Sequence, residues 1–597
     1  MKIFCVRFVF LVSYLAVIST VFITNDSFFH GFITAKYFWF ASVMCVVSLF
    51  IPFRISWKNE IRLTDILFGL LFVYVCANYF LLNGRSNMHW WLTLLMAPLY
   101  IAIRTVAKDE KLRHWLIITV LIVTLTESLW GLLQLYGFVK SHHALYRITG
   151  TFFNPGPYSG FLSMGVPFAL YFSLNKTLQR WERSLGMISL AAVLLVFPAA
   201  MSRAAWIAAA AGCLPVIIQN SKFKIQNFNL FPVTIRILIT TAVCLLLAGT
   251  YLMKKDSANG RIVVWSASLE AIKKRPLFGA GYGRFAAVYG DAQTAYFNNH
   301  ERSPAQILIA DSPEYAFNEY VQVAVELGIV GLLLFLAMIG SVFRLSDFRF
   351  LNKPPTLSAA LQPDRFSNCK DYPYITASFI AFLVFAVFSY PFSILPLAIM
   401  FVFLLALSAP ASKKLSPSMP VCLQVVGIAV CFGITAFGVY NILPKCTAYR
   451  EWTMLNNSDA EQRTVGQYAA LYPHLRHEKI FLFDYGQSLS RASKHAESNR
   501  LFEEYLCYGS DPMAYNCMGL NFKEMGEYSK AENMYLCAFQ IVPNRHYPLY
   551  LLMILYNETG QTEKAKAMAN VLLKKPVKVQ SEAIREIREE AAKIVND

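Results

Sequence analysis

The sequence predicts an all-α, polytopic helical membrane protein with a C-terminal α-solenoid. Three observations carry this. The 597 residues are 56% hydrophobic and only 15% charged, where globular chains carry roughly a quarter charged residues. Mean hydropathy is +0.43. That balance excludes a soluble enzyme, a disordered chain and a fibrous protein, and it requires a membrane. Up to about residue 444, long apolar runs alternate with short polar ones. Beyond it the chain is amphipathic and charged, lacks spans and repeats with a period of 34 residues. The division is therefore 1–444, a transmembrane domain with a large loop at 253–318, and 445–597, a helical repeat domain.

Thirteen apolar runs are candidate spans: about 5–24, 37–53, 65–83, 90–103, 115–137, 158–174, 185–200, 204–220, 233–252, 319–343, 373–390, 393–409 and 420–442. Runs of roughly 17–25 apolar residues cross a bilayer as helices. The 185–200 and 393–409 runs are marginal, which sets the count at about 12–13. Residues 5–24 read as an uncleaved first helix, because no A-x-A site follows and another span does. With the N-terminus inside, the inner loops hold most of the short-loop basic residues, among them Arg54, Lys58, Arg62, Lys108, Lys111, Arg113, Lys176, Arg180 and Arg183. The short outer loops hold few, among them Arg85, Lys140, Arg147 and Arg203. This asymmetry places 253–318 and 445–597 on the outer side. The net charge of +17, from 54 Lys+Arg against 37 Asp+Glu, is then a topology signal rather than a nucleic-acid signal. The twelve cysteines form no CxxC pair and no Cys/His metal spacing, which argues against structural zinc.

In the block starting at Pro512, Tyr515, Gly519, Phe522, Ala531, Tyr535, Ala538 and Pro543 occupy positions 4, 8, 11, 20, 24, 27 and 32. That is the tetratricopeptide pattern, with small residues where paired helices cross. The alternative is an unrelated array of helical hairpins. A block from His546 repeats part of it through Tyr556, Gly560 and Ala565, a block at 478–511 fits with a slip of one residue, and 578–597 reads as a charged capping helix. Such stacks bind peptides or proteins, which implies a protein partner. Cys446, Cys507, Cys517 and Cys537 lie here. In an oxidising compartment they permit a 507–537 or a 517–537 disulfide; otherwise they are small buried apolar residues.

Three outer segments hold polar residues that a bilayer does not require. Tyr146-Arg147-Ile148-Thr149-Gly150-Thr151-Phe152-Phe153-Asn154-Pro155 precedes span six; it is a turn with a snorkelling Arg, or a site. Ser202-Arg203-Ala204 puts an Arg in a tight turn between apolar helices, costly unless it faces a cavity or an anion. The long loop carries Arg261-Ile262-Val263-Val264-Trp265, then Arg275-Pro276-Leu277-Phe278-Gly279-Ala280-Gly281-Tyr282-Gly283. Those glycines weakly resemble a phosphate-cradling loop, without its GK[ST] ending or preceding strand. It ends in Asn318-Glu319-Tyr320-Val321-Gln322 and Glu326-Leu327-Gly328-Ile329-Val330-Gly331. Asn318, Glu319, Gln322 and Glu326 share a helix face at membrane depth, as a site or as interfacial solvation.

With these motifs in this order, most of residues 60–410 resembles the O-antigen ligase family, which includes O-antigen polymerases and protein O-oligosaccharyltransferases. The resemblance rests on R-x-T-G-T-F-x-N-P at 147–155, S-R-A at 202–204, R-x-x-x-W at 261–265, R-P-L-F-G-A-G-Y-G at 275–283, N-E-Y-x-Q at 318–322 and E-x-G-I-x-G at 326–331. It implies a GT-C-like, metal-independent, inverting glycosyltransferase with no cofactor, in the bacterial inner membrane, its C-terminal domain periplasmic. The implied donor is a glycan on undecaprenyl pyrophosphate. The acceptor is a lipid A-core sugar for a ligase, a Ser or Thr hydroxyl for an oligosaccharyltransferase, and the end of the growing glycan for a polymerase. By motif match, Arg203 and Arg261, with Arg147 beside them, hold the pyrophosphate, and Asn318 and Gln322 support the site. The family usually reads H-N in the last motif, its His being the base; this chain has Phe317-Asn318. Glu319 is then the first candidate base and His300 the second, with Asp311 and Glu314 upstream and loss of transfer a further reading. A reading of a different class is a flippase for lipid-linked glycans. It would show charged residues along a path through the helices, and the central spans look almost free of them.

Overall fold

A computed structural model describes residues 12–54, 62–82, 84, 88–107, 109–220, 255–299, 303–343, 372–408, 421–458 and 464–596. It is all-α: among the described residues 80% are helical and no strand occurs. Two compact units divide it. One comprises Met1–Val73, His89–Thr250 and Leu333–Arg450; the other comprises Tyr74–Met88, Tyr251–Leu332 and Glu451–Asp597.

After an apolar helical segment at Val12–Phe22, the helices are α1 (Gly31–Arg54), α2 (Leu63–Leu81), α3 (Met88–Val106), α4 (Glu110–Leu135), α5 (Pro155–Leu174), α6 (Arg180–Ala200) and α7 (Arg203–Asn220). There follow α8 (Lys255–Lys274), α9 (Phe285–Asn299), α10 (Pro304–Ile309), α11 (Glu319–Val342), α12 (Tyr372–Val387), α13 (Leu395–Ser408) and α14 (Val421–Asn457). The C-terminal region adds α15 (Val465–Leu475), α16 (Lys479–Arg491), α17 (His495–Leu506), α18 (Pro512–Glu524), α19 (Tyr528–Ile541), α20 (Tyr547–Glu558), α21 (Thr562–Lys574) and α22 (Glu582–Asn596).

Among the described residues, five helical stretches are long and apolar enough to cross a membrane: Gly31–Leu49, Leu63–Leu81, Glu110–Leu135, Arg180–Ala200 and Glu319–Val342. Shorter apolar helices cover Val12–Phe22, Trp90–Val106, Arg203–Ile217, Tyr374–Val387 and Leu395–Ser408. Helices α5 and α14 cover two more of the expected runs, and the run at 233–252 lies outside the described residues. No helix ends at residue 444; α14 passes through Pro444 and continues to Asn457.

The first unit is built around α5. Small residues let its neighbours approach closely, as helix association in lipid favours. A Cβ on Gly165 would meet Thr124 of α4 at 2.3 Å, and one on Gly160 would meet the Phe385 ring of α12 at 2.3 Å.

In the second unit the C-terminal helices pack as consecutive pairs, α16 with α17, α18 with α19 and α20 with α21. The 34-residue pattern marks their contacts. Gly519 admits the Tyr535 ring, 2.3 Å from where a Cβ would stand. Ala531, Tyr535 and Ala538 are fully buried. Helix α22 packs on α21 through Ile587 and Ala591. Cys446, Cys507, Cys517 and Cys537 are all free thiols. Neither the 507–537 nor the 517–537 bridge is present, and the Cys507 thiol instead bonds back to the Glu503 carbonyl of its own helix.

Candidate functional site

In the second unit, three sequence motifs meet at the start of α11. That helix is broken at Gly328, where φ is 67° and ψ −170°. A break in an apolar helix frees backbone groups that hydrocarbon cannot satisfy. The 275–283 segment satisfies them. Ala280 N–H donates to Val325 O (2.8 Å) and Gly281 N–H to Glu326 O (3.0 Å). In return, Ile329 N–H donates to Pro276 O (2.9 Å) and Val330 N–H to Leu277 O (3.3 Å). Tyr74 on α2 donates its hydroxyl to Leu327 O (2.7 Å). One turn later, Asn78 donates to Phe278 O and accepts from Tyr282 N–H, both at 2.8 Å.

The two backbones lie too close for side chains. A Cβ on Gly279 would stand 2.4 Å from the Glu326 backbone, and one on Gly328 would stand 2.3 Å from Leu277 O. This corrects the weak resemblance to a phosphate cradle. The amides of Ala280, Gly281, Tyr282 and Gly283 point at α11, Glu326 and Asn78, so those glycines serve helix docking.

Glu326 ties the motifs together. Its buried carboxylate accepts from Gly283 N–H (2.9 Å), Phe285 N–H (3.3 Å) and Gln322 Nε2 (3.3 Å). Gln322 Oε1 accepts from Ala316 N–H (3.2 Å), and Trp265 Nε1 donates to Ala316 O (2.9 Å). Ala316 is thus pinned on both sides of its backbone. Trp265 lies one helical turn after Arg261 on α8, so the R-x-x-x-W spacing presents both side chains to one loop. The half-buried Arg261 guanidinium sits over the Phe317 ring, 5.7 Å from its centroid. Phe317 has φ 51°, a left-handed conformation that a bulky residue adopts only when its surroundings impose it. Asn318 caps α11, its Oδ1 accepting from Tyr320 N–H (3.0 Å) and Val321 N–H (3.2 Å). Glu319 is buried in the first turn, where the helix dipole favours a carboxylate.

The other candidates are placed as follows. Asp311 pairs with Arg545 at 3.1 Å and Glu314 pairs with Lys479, both partners lying in the C-terminal helices. His300 lies outside the described residues. Arg203 and Arg147 belong to the first unit. Arg203 is the half-buried first residue of α7, after a turn made by the left-handed Met201 (φ 47°) and Ser202. Trp206 Nε1 closes that turn by donating to Phe197 O at 3.1 Å.

Arg147 is exposed, but the motif that follows it is anchored. Gln134 of α4 accepts from Thr149 N–H (2.9 Å) and Gly150 N–H (2.8 Å) and donates to Gly150 O (2.9 Å). Two turns earlier, the fully buried Glu127 accepts from Thr151 N–H (3.2 Å) and Thr151 Oγ1 (2.6 Å). Lys36 of α1 is buried within electrostatic reach of Glu127. Sequence reasoning missed Tyr74, Asn78, Glu127, Gln134 and Lys36, and it took the central spans as almost free of charge. The available signal was the cost of a polar or charged residue at membrane depth.

Fold and site together define a polytopic, all-α membrane protein with polar motifs pinned to the breaks and ends of its apolar helices. Residues 188–336 match the family model described as O-antigen ligase, so this segment of the chain is similar to an O-antigen ligase domain. The matched segment includes Arg203, Arg261, the glycine-rich segment and the start of α11. No curated protein matches the chain.

Proposed function

We propose that the protein transfers a glycan from an undecaprenyl-pyrophosphate-linked donor to an acceptor hydroxyl at the periplasmic face of the bacterial inner membrane. In this reading it is an O-antigen ligase-like, metal-independent, inverting glycosyltransferase that needs no cofactor. The 253–318 loop and the 445–597 region lie in the periplasm, and the C-terminal helix pairs are tetratricopeptide repeats. The observation that carries the proposal is the pinned loop at Ala316–Asn318, with Arg261 held against it inside the segment that matches the family.

The acceptor oxygen attacks the anomeric carbon from the side opposite the lipid pyrophosphate. A C–O bond forms, the bond to the pyrophosphate breaks, and the acceptor proton passes to a base. Charge grows on the departing pyrophosphate. By motif match, Arg261, Arg203 and Arg147 are the residues assigned to that charge, because a guanidinium fork pairs two phosphate oxygens at once. Glu319 is the favoured base. Its position in the motif, next to Asn318, is matched, and Phe317 has no titratable group.

The packed helix pairs favour an acceptor hydroxyl on an exported protein over one on lipid A-core or on the growing glycan, since such arrays bind polypeptide. The test is transfer by the reconstituted full-length protein, with the lipid-linked donor offered each of the three acceptors. Product on one acceptor that vanishes in Arg203→Ala is the expected result. Lipid-linked glycan that crosses the bilayer and is never transferred would overturn the reading in favour of a flippase.

A further inference from the structure

We propose that Asn544, Gln293 and Ser510 are positioning residues for transfer, and that the C-terminal helix pairs hold the loop leading into Phe317 in its working shape. The inference rests on the glycan-transfer reading of that loop. It gives the C-terminal region a role within its own chain, besides any partner it binds.

The loop has little to hold itself. Helix α10 spans six residues and buries none of them, and residues 310–318 form no helix. An isolated helix this short is unstable in water. Its stability has to come from what it touches: Ile307 and Ile309 pack against Val263 of α8 and Phe297 of α9, and the C-terminal region adds hydrogen bonds to its last carbonyls.

Three contacts make the clamp. Asn544, in the turn before α20, shares the two hydrogens of its Nδ2 among Ile307 O (3.2 Å), Leu308 O (2.9 Å) and Ala310 O (2.6 Å). Carbonyls at a helix end lack partners within the helix, so Asn544 acts as a cap supplied from more than 230 residues away in the chain. Gln293 of α9 is fully buried and accepts from the Tyr289 hydroxyl at 2.7 Å. Its Nε2 donates both to Asp311 O (3.1 Å) and to Ile541 O (2.6 Å), tying loop backbone to repeat backbone. Ser510, in the turn before α18, accepts from Gly290 N–H (2.8 Å) and donates from Oγ (2.8 Å) and N–H (3.0 Å) to Ala286 O. Gly290 is needed there, because a Cβ would stand 2.5 Å from Ser510 Cβ. The Arg545–Asp311 and Lys479–Glu314 pairs flank these bonds, but exposed ion pairs contribute little. Residues preceding the first helix of successive pairs thus hold α9, through Ser510, and the end of α10, through Asn544, and Gln293 of α9 links α9 to the loop at Asp311.

From Asp311 the chain needs six residues to reach Phe317 and eight to reach Glu319. Its far end is pinned at Ala316 by Trp265 and Gln322. A loop fixed at both ends keeps its reacting groups in place, and a displacement of about 1 Å can cost about a hundredfold in rate.

The experiment compares full-length Asn544→Ala and Ser510→Ala with the wild type, reconstituted with a lipid-linked donor, and follows backbone amide exchange in parallel. Asn544→Ala should lower kcat about tenfold or more with little change in the KM for donor, and amide exchange across 305–318 should rise while α18 and α20 stay protected. Gln293→Glu keeps the shape, removes the donor and should act alike, which covers failure of either other variant to fold. Unchanged kcat together with faster exchange would overturn the positioning role. Unchanged exchange would overturn the clamp, whether or not transfer is found, while an Arg261→Ala variant matching wild-type transfer would overturn the function reading alone.

Discussion

The guanidinium carbon of Arg261 lies 5.7 Å from the centre of the Phe317 ring. Phe317 occupies the position where the family's usual motif has its His. The ring therefore gives Arg261 a face to rest on, a cation–π contact worth about 0.5–2 kcal/mol, and no proton passes through it. Arg261→Ala should lower transfer by about 10²–10³, the cost of one lost donor at a developing oxyanion. Arg261→Lys should also be poor, because a point charge lacks the fork. Phe317→Tyr should keep most activity and Phe317→Leu should lose several-fold. Steady-state transfer with a labelled lipid-linked donor measures all four, and near-normal activity in Arg261→Ala would refute the assignment.

The acidic residues of the loop divide by burial. Asp311 and Glu314 are exposed and paired with Arg545 and Lys479, whereas Glu319 is buried beside the pinned Ala316–Asn318 backbone. Glu319→Gln should abolish most transfer while the protein still inserts and melts normally. Asp311→Asn and Glu314→Gln should each stay within a few-fold of wild type. If Asp311→Asn is the inactive one, the base has been misplaced.

Much of this architecture was legible in the sequence, for physical reasons. Apolar runs had to be helices, because no other open structure satisfies its backbone in lipid. The small residues Gly519, Ala531 and Ala538 marked where paired helices cross. The one-turn spacing of Arg261 and Trp265 was visible, but not that both would grip Ala316–Phe317, since sequence does not say which loop returns to a helix. The glycines at 275–283 were readable as a need for close backbone approach. Their partner, the break at Gly328, was not, because nothing local distinguishes a broken apolar helix from a continuous one. Glu127 and Gln134 escaped notice for a similar reason: the 146–155 loop was visible, but sequence does not say which helix its backbone amides return to.

The paired glycines make a stability prediction. At Gly328 a side chain would meet both a positive φ and the Leu277 carbonyl. At Gly279, with φ 76°, it would meet the Glu326 backbone. Neither obstacle is a side chain that can swing away. Gly328→Ala and Gly279→Ala should each destabilise the protein by about 2 kcal/mol or more, as strained backbone and overpacking together demand. Gly260→Ala is the control, since nothing lies within 4 Å of a Cβ there. Thermal unfolding in detergent should separate the three, and equal melting temperatures would mean that the two backbones are not in contact.

The last prediction concerns acid. His546 is buried at the start of α20 and its Nε2 has no hydrogen-bond partner among the described residues. Burial, with Lys575 and Arg588 nearby, holds its pKa below the usual 6.5. The folded state thus resists a proton that the unfolded chain accepts. Above about pH 6.5 both states are neutral at this residue and the full stability is present. As pH falls below that, the unfolded state gains protons first, and stability drops until the folded pKa is passed. Lys575, pushed down to about 8 by burial, works in the same direction in a higher window, between about pH 10.5 and 8. Its contribution is therefore already spent at neutral pH and adds no slope under acid. Melting of the full-length protein should fall between pH 7 and pH 5, with amide exchange in α20 and α21 rising over that interval. His546→Gln removes the titrating group and should flatten this part of the curve. An unchanged acid slope in His546→Gln would assign the loss to other groups and remove His546 from the explanation.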